Sequence, residues 1–186
     1  MTPRRRLLAI ALSAPLGLRA TIAAAQERRG AAGGPRTLQW RDLVPGGFDI
    51  DAIYKRYAEA VAEMGEDDPR AEEKRREVAA AFAQAPVVAE LDGSIVRLPG
   101  YPVPLDGDVR AMKSFLLVPF YGACIHVPPP PPNQIVHVVA DKPVRLPGPI
   151  TDPVWATGVM RVQPARTELA EAGYTLQLRE LKRYRA

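Results

Sequence analysis

The chain has 186 residues, with 25 basic and 21 acidic side chains, 20 prolines, two histidines and one cysteine. That length is enough for one domain with a hydrophobic core of its own. A single cysteine excludes a fold held together by disulfides within one chain.

Residues 1–25 have the pattern of a secretory signal peptide. Arginines at positions 4–6 precede an apolar run at 7–18, and small residues at Ala23 and Ala25 favour cleavage before Gln26. A membrane anchor is the alternative, but this run of 12 residues contains a proline and a glycine. It is short of the roughly 20 residues needed to span a bilayer. The paired arginines followed by two leucines resemble a twin-arginine signal, so we expect a periplasmic protein exported by the general secretory or the twin-arginine route.

Cleavage at that position changes the charge balance. The full chain has a formal net charge of +4, but the removed segment contains four arginines and no acidic residue, which leaves 21 basic and 21 acidic side chains. A neutral mature chain has no electrostatic basis for binding nucleic acid, and we expect no such partner. We also expect no transmembrane segment after cleavage.

The next part of the chain is predicted to be a linker followed by helices. Residues 26–39, rich in glycine, alanine and arginine, are typical of a flexible linker, and residues 40–86 form a helical extension. Apolar residues at three- and four-residue steps predict a first helix over 50–64. A second helix is predicted over 69–85, with Asp68 as its N-cap.

Residues 87–186 are predicted to form a β domain. Strand-like runs occur at "SIVRLPGYPVPL", "SFLLVPF", "NQIVHVVA", "PVWATGVMRV" and "GYTLQLRELKRY". The run "VVAEL" before Asp92 and Gly93 predicts a hairpin into the first of these strands. No segment here is long enough for a helical crossover, so antiparallel strands are expected. The predicted fold class is mainly β, a small antiparallel barrel or OB-like sheet with an N-terminal α-helical extension (α+β), with a sandwich as the alternative.

The only cysteine lies close to one of the two histidines. In an extended segment, residues two apart project from the same face, so Cys124 and His126 would point together. Thiolate and imidazole groups are ligands that zinc prefers. His137, on the next predicted strand, would join them if the two strands pair. The sequence therefore predicts a metal site of Cys124, His126 and His137, with zinc as the metal.

Two other interpretations of the cysteine stay open. A lone cysteine is among the most often buried residue types and behaves as a small hydrophobe. A cysteine and histidine nucleophile pair needs a facing base and a group that orients it, and no acid adjoins Cys124 and His126. We therefore predict no catalytic residues and a non-enzymatic protein.

Five consecutive prolines follow the cysteine and histidine. Such a run adopts polyproline II, about 3.1 Å per residue, and is stiff before folding. It fits a rigid connection between strands, or a ligand for an aromatic groove on a partner, and the two roles are compatible. The predicted binding residues of this region are Tyr101, Tyr121, Gly122, Pro128, Pro129, Pro130, Pro131, Pro132, Asn133 and Gln134.

Several of these segments together resemble a known family. They are "LDGSIVRLPGYPVPL", "FLLVPFYGACIHVPPPPPNQIVHV", "PVWATGVMRV" and "AGYTLQL". In order and spacing they are similar to bacterial exported proteins of the domain-of-unknown-function family DUF3299. The resemblance covers residues 87–184, leaves the helices outside it, and implies a small envelope domain without an assigned activity.

The resemblance also implies partners. Members of that family are commonly encoded beside ABC-type permease components linked to zinc supply, which implies an accessory or metal-binding role. Cys124 and His126 match the core of the family pattern. The family more often has a tyrosine where this chain has His137, so the resemblance supports only the first two as ligands.

The leading hypothesis is an exported, non-enzymatic envelope accessory protein that binds zinc or a permease partner through Cys124, His126 and the proline run. The alternative is a structural or docking module in which Cys124 is buried and the proline run is the interface.

Overall fold

The computed structural model describes residues 34–62, 64, 68–105, 108–123 and 130–185. The predicted signal peptide and most of the predicted linker lie outside these residues. The helices are α1 (Ile50–Val61) and α2 (Pro69–Ala83), with short 3₁₀ turns at Trp40–Leu43, Ala89–Leu91 and Pro132–Gln134. The strands are β1 (Arg36–Thr37), β2 (Ile95–Pro104), β3 (Met112–Val118), β4 (Val136–Val144), β5 (Val154–Arg161), β6 (Ala165–Arg166), β7 (Glu171–Ala172) and β8 (Tyr174–Arg183).

Five of these strands close into a barrel. Their order is β2, β3, β4, β8, β5 and back to β2, while β1 pairs with β2 outside the closed ring. The predicted small barrel with an N-terminal helical extension is confirmed. Its one difference from the antiparallel expectation is the parallel pairing of β4 with β8. A closed ring with an odd number of strands cannot alternate direction throughout, so at least one neighbouring pair must be parallel.

The barrel interior is filled by alternate residues of each strand. Successive side chains of a strand point to opposite faces, and in β2 and β5 every second residue is buried. The fully buried barrel residues are Val96, Leu98, Met112, Phe115, Leu117, Val136, Val138, Ala156, Met160, Tyr174 and Leu176.

A second apolar cluster lies on the outer face of the barrel. Leu116 and Val118 alternate with the core-facing Leu117 on β3. They are buried together with one residue that follows β3, one that precedes β4 and one that precedes β8. The second cluster comprises Leu116, Val118, Ala123, Ile135 and Ala172, with Tyr101, Val103 and Leu105 packed against it. The segments on either side of residues 124–129 therefore cover this face of the barrel.

The predicted hairpin at Asp92 and Gly93 is wrong. The residues before it form the Ala89–Leu91 turn, because Leu91 is buried in the core rather than paired in a strand. Gly93 has a φ of 73° and donates its N–H to the Met160 carbonyl at 2.8 Å. β2 pairs with β5 instead of a preceding strand.

The residues before the helices pack against the barrel. Residues 26–39 were predicted to be a flexible linker from their composition. In the structure, residues 36–37 form β1, and Leu38 and Leu43 are fully buried. The Trp40 indole donates to the Pro99 carbonyl at 2.7 Å. A Cβ at Gly100 would lie 2.9 Å from the Trp40 ring, so only glycine allows this close approach.

The Tyr174 hydroxyl connects three distant parts of the chain. It donates to the Leu43 carbonyl at 2.7 Å and accepts from the Val88 N–H at 2.6 Å. Tyr174 is fully buried at the start of β8, and burial raises the pKa of its phenol. One side chain thus satisfies two backbone groups, one before the helices and one after them.

The two helices pack on one another. Tyr54 of α1 meets Phe82 of α2 edge to face, with ring centroids 5.1 Å apart. The predicted cap of α2 is confirmed, since the Asp68 carboxylate accepts the Arg70 N–H at 2.9 Å. Neither helix in the described part of the chain has the length and apolarity of a membrane span.

Replacing Tyr174 by Phe is expected to lower the free energy of unfolding by about 1–3 kcal/mol, because the Val88 N–H and the Leu43 carbonyl lose their partner inside the protein. Urea denaturation measures the change. The matched control is Tyr184→Phe, which removes the hydroxyl of a half-exposed tyrosine and should stay within about 0.5 kcal/mol of the parent. Equal stability of the two variants would show that the Tyr174 bridge contributes nothing.

Candidate functional site

The candidate site is the segment between β3 and β4, of which the structure describes both ends. Cys124, His126, Pro128 and Pro129 lie outside the described residues, so their predicted roles stay predictions. The described parts are residues 119–123 and 130–135.

The upstream end carries exposed aromatic side chains. Phe120 and Tyr121 have relative exposures of 45% and 57%. Large apolar side chains that are neighbours in a folded protein are usually less exposed than this. The Tyr121 ring meets the Tyr101 ring of β2 at an angle of 62°, with centroids 6.3 Å apart. Gly122 has a φ of 80°, which only glycine adopts readily, and the turn it makes buries Ala123 in the second cluster. The predicted binding residues Tyr101 and Tyr121 are thus brought together.

The downstream end is buried and hydrogen bonded. Pro130 and Pro131 are buried, and Asn133 is fully buried. The Asn133 amide donates to the Pro86 carbonyl at 2.8 Å, and the Gln134 amide donates to the Trp40 carbonyl at 2.9 Å. These two amides anchor the chain to the residues before and after the helices.

The Pro132 carbonyl adds a further anchor at the start of β8. It accepts the Gly173 N–H at 2.6 Å and the Ile135 N–H at 3.1 Å. A Cβ at position 173 would lie 2.9 Å from this oxygen, so the corner accepts only glycine without a shift. Burial of Pro130 and Pro131 and the hydrogen bonds to the Pro132 carbonyl therefore hold the last described prolines against the barrel.

His137 lies on the same outer face as the second cluster. It pairs with Leu116 of β3 and Thr175 of β8, and directly paired residues in neighbouring strands project to the same side. Its side chain is half-buried, and this burial lowers the pKa of the imidazole. The neutral form, which is the one that binds metals, is therefore favoured at neutral pH.

The described residues do not by themselves assemble a metal site. Within them, no three side chains of the His, Cys, Asp and Glu types come together in a way that would hold an ion. Of the three predicted ligands, only His137 is described.

Phe120 is the site residue that sequence reasoning missed. It is exposed because β3 ends at Val118 and the chain turns at residues 119–122, which takes it out of the strand alternation. The signal was available in the sequence, since an aromatic pair stands between a proline and a glycine in "PFYG".

Comparison with known proteins decides the family. The family model described as "Protein of unknown function (DUF3299)" matches residues 40–183. The chain belongs to the DUF3299 family. A crystal structure of a DUF3299 family protein from Pseudomonas aeruginosa PAO1 is 39% identical, covers 83% of this chain and 99% of its own, and superposes with a TM-score of 0.60. No curated protein matches the chain.

The DUF3299 match is longer than the resemblance seen in the sequence. It begins at Trp40 and includes both helices, which the sequence resemblance left outside. The Trp40–Leu43 turn and the residues after α2 hold the barrel through Tyr174 and Gln134, which gives a physical reason for the family pattern to include them.

His137 is expected to make the protein less stable in acid. Because its folded pKa lies below the ordinary value of 6.5, the unfolded chain takes up a proton that the folded chain resists once the pH falls below 6.5. The free energy of unfolding should therefore fall as pH drops from 6.5 toward the folded pKa. His137→Gln should flatten this part of the profile, measured by urea denaturation between about pH 7.5 and pH 5. Both proteins retain His126, so parallel profiles would rule out the His137 contribution.

Proposed function

We propose that this DUF3299 protein is an exported, non-enzymatic accessory protein of the cell envelope. It docks onto a membrane-protein partner, an ABC-type permease component, through Tyr101, Phe120 and Tyr121, here called the aromatic surface. The observation that carries the proposal is the exposure of Phe120 and Tyr121 on a short turn between two buried residues, Val118 at the end of β3 and Ala123.

Binding through the aromatic surface would cost little conformational entropy. Aromatic residues are enriched at the centres of protein interfaces, where they bury much area with few rotatable bonds. Val118 is buried before the aromatic pair and Ala123 is buried after it, so the turn that carries Phe120 and Tyr121 is held on both sides before any partner arrives. A preorganised surface loses less conformational entropy on binding than a flexible one.

Export and the kind of partner are supported by the sequence. The arginines and apolar run of residues 1–25 are typical of a signal peptide, with Gln26 as the expected first residue after cleavage. The resemblance to DUF3299 proteins supports an envelope location and a permease partner.

Site-specific photo-crosslinking in cells tests the docking proposal. A photoreactive phenylalanine analogue placed at Tyr121 is expected to form an adduct with a permease component in the envelope fraction, and the captured chain should begin at Gln26. The control places the analogue at Glu59, an exposed residue of α1 far along the chain from the aromatic surface. An adduct equal at both positions, or none at Tyr121, would contradict the proposal.

Zinc binding is the second candidate function, favoured by the position of His137. Its half-buried imidazole is kept neutral by burial and lies on the face that also carries Ala123, the residue before Cys124. Cys124 and His126 enter this proposal from the sequence, where thiolate and imidazole are the ligands that zinc prefers.

Isothermal titration of zinc into the reduced chain that starts at Gln26 tests this candidate. Cys124→Ser is expected to abolish binding, since it removes the thiolate ligand. His137→Tyr should weaken binding by about 10-fold or more if the imidazole is a ligand. Unchanged affinity in His137→Tyr removes that residue from the site, and absence of heat in the parent chain ends the zinc hypothesis.

A further inference from the structure

A distinct surface lies at the end of the barrel where β8 finishes. Three segments meet there: residues 108–111, residues 145–153, and the last residues of β8 with Tyr184. The Leu146 N–H donates to the Val109 carbonyl at 2.9 Å, which joins the first two segments. Arg183 pairs with Asp152 at 2.6 Å and the Tyr184 N–H donates to the Pro153 carbonyl at 3.1 Å, which joins the third. We call this surface, together with the adjoining residues 112–113 of β3, 141–144 of β4 and 179–185 at the end of β8 and after it, the basic end.

Positive charge is in excess at the basic end. Two of its cations are paired, Arg183 with Asp152 and Lys182 with Glu180 at 2.8 Å. Among the described residues, Asp108, Asp141, Asp152 and Glu180 supply its four carboxylates. Its eight exposed cations are Arg110, Lys113, Lys142, Arg145, Arg179, Lys182, Arg183 and Arg185. The described residues of this end therefore carry a local excess of four positive charges, although the chain from Gln26 onward is neutral.

Exposed apolar side chains belong to the same segments. Ile150 and Val109 have relative exposures of 42% and 36%, and Pro147 and Pro149, in the loop after β4, are also exposed. Trp155 pairs with Lys182 of β8, and its ring meets the Tyr184 ring at an angle of 35°, with centroids 5.0 Å apart. Tryptophan and tyrosine are the aromatic residues enriched at membrane interfaces.

We propose that the basic end binds the surface of a membrane that contains anionic phospholipids. Cations near such a surface gain favourable energy from the negative headgroups, and apolar side chains gain energy by entering the boundary between headgroups and acyl chains. The combination distinguishes this surface from a nucleic-acid site, because exposed aliphatic side chains and prolines make no favourable contact with a phosphate backbone.

The lipid site goes beyond the docking function proposed above and stands without it. The aromatic surface consists of Tyr101 in β2 and of Phe120 and Tyr121 after β3, and none of these residues belongs to the basic end. The two surfaces therefore use different residues, and either one can be removed without the other.

Vesicle co-sedimentation with the chain beginning at Gln26 tests the proposal, because that chain contains the whole compact unit of residues 34–186. We expect binding to phosphatidylcholine vesicles that contain about 30 mol % phosphatidylglycerol, and none to pure phosphatidylcholine. The double variant Arg110→Gln, Arg145→Gln should weaken binding about 25-fold, since each cation contributes about fivefold. Ile150→Ser should weaken it by about fivefold or more through the lost apolar contact.

The matched control removes the same charge from the helices. Lys55→Gln with Arg76→Gln neutralises two exposed cations of α1 and α2 and should leave vesicle binding unchanged. Equal binding to neutral and anionic vesicles, or equal loss in the control, would overturn the proposal. The proposal would also be overturned if Ile150→Ser bound anionic vesicles normally and a single-stranded oligonucleotide competed fully with the vesicles. The surface would then bind polyanions in general.

Discussion

The Tyr174 hydroxyl is the contact on which the arrangement of this barrel depends. It bonds the Leu43 carbonyl and the Val88 N–H, two backbone groups separated by both helices. Neighbouring contacts converge on the same corner, since Gly173 bonds the Pro132 carbonyl and Asn133 bonds the Pro86 carbonyl. The start of β8 therefore holds the N-terminal turn, the segment after α2 and the last prolines together.

The exposed aromatic pair lies between the end of β3 and a buried alanine. The chain between β3 and β4 is anchored through Ala123 at one end and through Gln134 at the other. Phe120 and Tyr121 stand just outside the upstream anchor, where Tyr121 rests against Tyr101. The outer face beneath them is covered by the second cluster, so the barrel has two apolar layers rather than one.

The candidate site was only partly predictable from the sequence. The sequence predicted Tyr101 and Tyr121 as binding residues, and their rings do lie together, while His137 was correctly predicted to lie on a strand. The amides of Asn133 and Gln134 were predicted as binding groups, and in the structure they donate to the Pro86 and Trp40 carbonyls. Their acceptors lie 47 and 94 residues away, and no local pattern indicates a partner at such a separation.

The sequence by itself determined the elements whose signals are local: five barrel strands from apolar runs bounded by proline and glycine, two helices from apolar periodicity, and the Asp68 cap. Only the tertiary structure decided which strands pair. The alternation of apolar and polar residues in a strand shows that a residue is buried, but it does not show which element covers that residue. The sequence therefore did not reveal that β2 pairs with β5 or that β4 lies parallel to β8. Leu38 likewise follows a glycine-rich stretch that is typical of a linker, and it becomes core only because β1 pairs with β2.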